Sequence, residues 1–358
     1  MRILQINTES TWRGGERQTL LTAKGLMKRG IKVAILAAKN SPLSKKAQQE
    51  DIKVIQTRGF FHTLVKIFSA RTQFDIFHAQ AGKAHTQAIL SKFLHGKPVI
   101  YTRRVDFIPK GFASMIKYRL TDQVVAISEK ISSILDANKL FKNAPVIYSA
   151  IENKTPDYSR AMNLKKALKI ENSYIIGIIA AIEEHKDPFL TLNVAKKIIR
   201  RRKDIDFIHF GSGKLEDEFK EFIKDNSLEK RYHFMGHYDN VEDFYSIMDV
   251  FLMTSKMEGL GSSVIDAFNN EVFVVSTKAG GLEELVIGRG SLCDIGNLDC
   301  LVNEIENAIS MNKDKIAIIE KAKSFCNKNF LSDKMVENIL KSIKHCYEKF
   351  HYSNINYP

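Results

Sequence analysis

The chain has 358 residues, 44% of them hydrophobic, enough for two domains of ordinary size with substantial cores. No apolar run approaches 18 residues, and MRILQINTES reads as no signal peptide, which argues against membrane-spanning and secreted classes. The net charge of +13 is segregated: residues 1–150 hold 25 Lys and Arg against 9 Asp and Glu, while the remainder holds 29 against 32. Such asymmetry fits an anionic partner at the first half, whether membrane headgroups, a phosphorylated acceptor or nucleic acid; a Lys-rich solvated face is the plain alternative.

Taken in order, Arg2–Asn7 reads as a first parallel strand, followed by the loop TESTWRGGERQ and a helix to about Arg29. Gly14-Gly15 lets backbone approach a ligand closely at a helix start. It is not a dinucleotide fingerprint, since G-x-G-x-x-G is absent and KVAILAAK ends without a ribose-binding acid. Strands follow near 52–55, 74–78, 98–101, 123–126 and 145–147, alternating with helices, which predicts a parallel sheet. Polar residues cluster at strand ends: His78, with Lys83 and His85 beyond it, and the Arg103-Arg104-Asp106 group, whose guanidiniums suit phosphate. The basic–aromatic stretches 58–71 and 107–119 read either as sheet-packing helices or as interfacial ones.

Residues 152–172 are polar and read as a linker, after which a second alternating series begins. Tyr174–Ala181 is a strand, and Glu183-Glu184-His185-Lys186-Asp187 leads into a helix with Pro188 early in it. Ile205–Phe210 runs into Gly211-Ser212-Gly213, which is not a Walker A loop. Asp204-Ile205-Asp206 precedes a strand instead of ending one, so it reads as a solvated turn, and no metal is expected. Phe234-Met235-Gly236-His237 follows later in this second series. The four cysteines show no C-x-x-C spacing and read as thiols of a reducing compartment.

The densest stretch is Ser255–Glu284. An apolar strand, Met248–Met253, precedes Glu258-Gly259-Leu260-Gly261; a helix follows with Val264, Ile265 and Phe268 on one face and Ser262 or Ser263 as its cap. A second apolar run, Val272–Ser276, ends before Gly280-Gly281. This order puts a carboxylate and exposed backbone N–H groups at the carboxyl end of a parallel sheet, where open α/β folds bind ligands. Asp266 follows Glu258 by eight positions.

Glu258, Gly259, Gly261, Ala267, Val274, Val275, Thr277, Gly280, Gly281 and Glu284 together resemble the donor-binding motif of retaining glycosyltransferases of family 4. The resemblance extends to Gly14-Gly15-Glu16-Arg17, Val124–Glu129, Val146–Ile151, Lys186 and Gly211-Ser212-Gly213. It is strongest over 249–284 and covers nearly the whole chain. It implies the GT-B architecture: two Rossmann-like α/β domains facing a cleft, with residues 1–152 as acceptor domain and 173–335 as nucleotide-sugar domain. The last helix, 336–358, would cross back onto the first. Departures from the family are Asp266 for Glu (a methylene shorter, about 1.5 Å), Glu271 for Gly, Phe273 for Pro and Ala181 for Arg.

By that resemblance Glu258 contacts the donor sugar and Lys186 the phosphates. Gly14, Gly15, Gly211, Gly236, Gly259, Leu260, Gly261, Ser262, Ser263 and Asp266 surround the donor, with Asp266 toward the ribose. His78, Arg103, Arg104 and Asp106 are acceptor or phosphate candidates. The expected reaction is retaining transfer from a UDP- or GDP-sugar to a glycan or glycolipid in lipopolysaccharide or other cell-surface polysaccharide synthesis. The expected partners are nucleotide sugar, acceptor and anionic membrane surface; no nucleic acid, metal or other cofactor is expected. The expected location is cytoplasmic, with peripheral binding at the inner membrane face. The alternatives are a catalytically weakened GT-B-fold binder and a sugar-nucleotide epimerase.

Overall fold

Strand–helix alternation takes the form of two parallel sheets in the computed structural model, which describes residues 1–109, 111–151, 156–238, 240–310 and 313–355. The chain divides into two compact units, Met1–Ala150 with the segment from Phe330 onward, and Ile151–Asn329. Among the described residues no helix is long and apolar enough to cross a membrane.

The first unit runs β1 (Arg2–Asn7), α1 (Gly14–Lys28), β2 (Lys32–Ala38), α2 (Pro42–Gln49), β3 (Lys53–Thr57), α3 (Gly59–Ser69), β4 (Ile76–Ala79), α4 (Gly82–His95), β5 (Val99–Arg103), α5 (Phe112–Arg119), β6 (Gln123–Ala126) and α6 (Glu129–Ala137). Its strands lie in the order β3-β2-β1-β4-β5-β6, all parallel. Both faces of such a sheet are covered, so its central strands are apolar almost throughout: Ile3, Leu4, Ile6, Ile35 and Phe77 are wholly buried.

The second unit runs α7 (Tyr158–Ala167), β7 (Tyr174–Ile179), α8 (Pro188–Arg201), β8 (Ile205–Phe210), α9 (Glu216–Asp225), β9 (Tyr232–Gly236), β10 (Val250–Met253), α10 (Ser262–Asn269), β11 (Phe273–Thr277), α11 (Leu282–Val286), β12 (Ser291–Cys293), α12 (Leu298–Ser310) and α13 (Lys313–Asn329). The strand order is β12-β11-β10-β7-β8-β9. Met248 lies just before β10 with its sulfur under Gly177 of β7, where an added Cβ would meet it at 2.0 Å. The last helix, α14 (Ser332–Ile355), belongs to the first unit and packs along α1.

Four expectations are corrected. Residues 152–155 lie outside the described residues, but 158–167 of the expected linker form α7. Asp157 caps that helix by accepting from the Arg160 N–H at 3.0 Å, and Arg160 pairs with Asp243 at 2.7 Å. The run 145–147 contributes a single bridge, Ala126 to Val146, and not a strand. Cys293 and Cys300 form a disulfide, because the turn after β12 doubles back through Gly296 (φ +80°) and brings their Cα atoms to 5.8 Å. Cys326 and Cys346 are buried thiols. The expected solvated turn at Asp204–Asp206 is solvated only at its first residue. Asp206 is buried against His233 (3.0 Å) and Arg231 (3.6 Å), at the amino end of β8.

The α1–α14 contact depends on one glycine: a Cβ on Gly25 would sit 2.3 Å from Val336 Cγ2. Gly25→Ala should therefore destabilise the protein by about 1–3 kcal/mol, despite alanine's better helix propensity. The same change in a Val336→Ala background should cost clearly less, as a double-mutant cycle in chemical denaturation would measure.

Candidate functional site

In the second sheet the strand order reverses between β7 and β10, which is where open α/β sheets bind ligands beyond their carboxyl ends. The loops leaving these two strands are tied together by backbone. The Lys256 and Met257 N–H groups donate to the His185 carbonyl at 2.9 and 3.2 Å. Thr254 Oγ1 lies 3.1 and 3.2 Å from the Lys186 and Asp187 carbonyls and 2.6 Å from Thr191 Oγ1. Asp187 adopts the left-handed conformation (φ +49°), one that aspartate tolerates better than most residues, and turns the chain into α8. The result is an ion pair between Lys186 Nζ and Glu258 Oε2, each side chain 16% exposed.

The turn after Glu258 leaves no room for side chains. The Gly281 N–H donates to the Glu258 carbonyl at 2.9 Å, and a Cβ on Gly281 would lie 2.5 Å from the Gly259 carbonyl oxygen. Gly261 (φ +96°) is the N-cap of α10, and its Cβ would lie 2.4 Å from Leu282 Cδ2. The serine cap expected at 262 or 263 is thus replaced by a glycine cap, because only glycine fits that φ and that space. Ser262 and Ser263 occupy the first turn, where amide N–H groups have no intrahelical acceptor. Asp266 stands one turn beyond Ser262 on the same helix face and is buried. The Cys326 thiol of α13 is pushed up to about 12 by burial, with the Asp266 charge adding to the effect.

The loops after β7, β8 and β9 interlock through glycines. The Gly211 N–H donates to the Gly236 carbonyl at 2.8 Å; a Cβ on Gly211 (φ +153°) would lie 1.8 Å from the Ala180 carbonyl oxygen. Gly213 fits as tightly against the Ile182 carbonyl, 2.2 Å from its would-be Cβ.

The first sheet reverses between β1 and β4. Glu16 is buried at the start of α1, accepting from the Arg13 N–H at 2.9 Å and from Asn7 Nδ2 at 3.2 Å; burial raises its pKa, and these bonds oppose the shift. Beside Gly15 lies Arg104, which donates to Gln80 Oε1 at 2.8 Å and lies 3.4 Å from Ser149 Oγ. Burial pushes its pKa down to about 10, opposed by the Glu16 charge.

The sequence did not single out Gln80 or Ser149, although a polar residue at the end of β4 was the available signal. The paired Arg103-Arg104 phosphate clamp is corrected. Alternate residues at a strand end point to opposite faces. Arg103 is buried with its guanidinium bonded to the Tyr118 hydroxyl and the Phe107 carbonyl, over both rings at 5.7 and 5.4 Å. His78 is also buried within β4, 2.8 Å from Thr102 Oγ1, and burial followed by the Arg104 charge holds its pKa down at about 3. It presents no exposed ring to a ligand. Asp106 is half-buried in the loop after β5.

The family model Glycosyltransferase Family 4 matches residues 12–153, and Glycosyl transferases group 1 matches 160–325. Both halves of the chain match glycosyltransferase family models. Among curated relatives, the lipopolysaccharide core biosynthesis mannosyltransferase LpsB of Rhizobium meliloti is 26% identical over 60% of this chain and 62% of its own. An Escherichia coli UDP-Gal:alpha-D-GlcNAc-diphosphoundecaprenol alpha-1,3-galactosyltransferase is 24% identical over 74% and 73%. The chain spans 30%, 60% and 62% of the length of three curated relatives that it matches. Among solved structures, Anabaena Alr3699/HepE in complex with UDP and glucose superposes with a TM-score of 0.84 at 20% identity, covering 96% of this chain and 99% of that one. Its architecture is GT-B.

The glycines make a graded prediction. Gly236 (φ +67°) has open space around it, so Gly236→Ala should cost only the left-handed penalty, about 1–2 kcal/mol. Gly211→Ala should cost more than that and should lower nucleotide affinity as well. Denaturation and calorimetric titration would check both.

Proposed function

We propose that this glycosyltransferase moves a sugar, with retention of anomeric configuration, from a UDP- or GDP-sugar to a glycan or glycolipid acceptor. It would serve lipopolysaccharide or another cell-surface polysaccharide, in the cytoplasm at the inner membrane face. The observation that carries this reading is the Lys186–Glu258 pair at the reversal point of the second sheet, beside the open amides of α10. A neighbour of the same fold is described with UDP and glucose, and two relatives are named for lipopolysaccharide core and lipid-diphosphate acceptors.

In this reading Glu258 exchanges its lysine partner for sugar hydroxyls, which it orients as an acceptor. Lys186 and the Ser262 and Ser263 N–H groups then meet the diphosphate, where negative charge grows as the anomeric C–O bond breaks. The acceptor oxygen bonds to the same face of the sugar, and its proton passes to the departing phosphate oxygen. Gly211 and Gly236 shape the nucleobase turn, Gly259, Leu260 and Gly261 the turn beneath the sugar, and Asp266 takes the ribose. On the first unit, Gly14, Gly15 and Arg104 are assigned to phosphate or acceptor. Because lysine and helix amides supply the positive charge, turnover should persist in a chelator.

Glu258→Gln and Lys186→Ala should each lower kcat/KM by about 100- to 1000-fold while the melting temperature stays within a few degrees. Wild-type turnover by Glu258→Gln would overturn the assignment. A thermal-shift series with UDP-, GDP- and ADP-sugars identifies the donor, since a ligand bound to the native state raises stability.

Asp266→Glu separates two roles. If Asp266 touches ribose, the longer side chain crowds the site and weakens nucleotide binding. Unchanged affinity in a calorimetric titration would remove Asp266 from the site.

A further inference from the structure

Helices α3 and α4 carry large apolar side chains outward. Phe61 and Phe93 are 80% and 81% exposed, Val65 and Leu94 61% and 65%, and Phe68 and Leu90 accompany them. Phe61, Val65 and Phe68 follow helical spacing, as do Leu90, Phe93 and Leu94, so each helix presents one apolar stripe to solvent. The inward stripes are separate: Thr63 and Ile67 on α3, and Ala84, Ala88 and Ser91 on α4. The two helices pack side by side, and α5 continues the pattern with Phe112 73% exposed. A monomeric soluble surface rarely shows so many adjacent large apolar groups without a partner.

Charge identifies the partner. Between Ile52 and Thr121 there are twelve Lys and Arg and only two acids, Asp75 and Asp106. Asp75 is already paired with Arg2 at 2.7 Å. Arg58, Lys66, Lys83, Lys97 and Arg119 have no carboxylate partner among the described residues, and the Arg71 guanidinium lies 3.9 Å from the Phe68 ring centroid. The second unit differs, pairing Arg202 with Asp204, Lys220 with Glu216 and Lys278 with Asp294.

We infer that the α3–α4 face docks on an anionic lipid bilayer, seating Phe61 and Phe93 among the acyl chains while the flanking cations meet headgroup phosphates. Aromatic and aliphatic groups beside snorkelling Lys and Arg are what an interfacial membrane surface requires. A second copy would bring like charges together. A nucleic acid would neutralise the cations but leave Val65, Leu90 and Leu94 in water. Lys117 donates to Thr86 Oγ1 at 3.2 Å, which directs it along the helices, and Lys110 lies outside the described residues. The inference rests on the membrane location proposed above and names the face that meets it, and it stands apart from the transfer reaction.

The test is sedimentation of the full chain with phosphatidylglycerol–phosphatidylcholine vesicles and with phosphatidylcholine vesicles, from low to high salt. The expected result is binding to the anionic vesicles that weakens steeply with salt, and little binding to the neutral ones. Phe61→Ser with Phe93→Ser should reduce partitioning about a hundredfold while keeping the salt dependence. Arg58→Glu with Lys66→Glu should flatten the salt dependence. Arg58, Phe61 and Phe93 are exposed and Lys66 is half-buried, and circular dichroism checks that the fold is intact. Independently, Phe93→Trp in a Trp12→Phe background, which leaves a single tryptophan, should shift its emission to the blue on vesicles. No binding at low salt, no effect of the serine pair, or a solution dimer whose hydrogen-exchange protection covers α3 and α4 would each overturn the inference.

Discussion

Most of the proposed chemistry depends on a short set of backbone bonds between two loops of the second unit. One carbonyl, that of His185, accepts two amides from the loop after β10, and Thr254 fastens that loop to the carbonyls of Lys186 and Asp187. A lysine and a glutamate 72 residues apart in sequence are thereby held in contact on loops that leave neighbouring strands. Each bond contributes about 1 kcal/mol, but together they determine where a cation and a carboxylate meet. The glycines around them answer the same constraint, since Gly211, Gly213, Gly261 and Gly281 all sit where a Cβ would strike backbone or a core side chain.

The first unit uses the same topology for a different purpose. Its reversal point holds a buried polar group of Asn7, Glu16, Gln80 and Arg104 under a glycine turn. Arg104 keeps its charge with neutral hydrogen-bond partners, whereas Arg103, one residue earlier, is absorbed into the packing of α5. Adjacent arginines thus have unrelated roles because a strand sends successive side chains to opposite faces.

Exposed apolar stripes on α3 and α4 complete the contrast between the units. A sheet-covering helix needs only one apolar face, and these two have a second one facing water, within a stretch nearly empty of acids. Segregating charge and apolar surface in one unit leaves the other nearly neutral, with several of its cations in local pairs.

The residue pattern alone determined the class and most elements. Apolar runs between glycine-containing turns mark buried parallel strands wherever the core demands them, so β1 and β8 appeared at their observed limits and β10 close to them. The Glu258 turn was legible because a tight strand-to-helix turn restricts residue type locally. Contacts between segments distant in sequence were decided only by tertiary structure. These include the ion pair of Lys186 with Glu258, the burial of Arg103 and His78, and the docking of α7 on the second unit. Local spacing also left open the Cys293–Cys300 bond, which depends on how the turn after β12 folds back. Periodicity could not say which face of α3 met the sheet, because both of its faces are apolar; packing chose Thr63 and Ile67 and left Phe61 and Val65 in water.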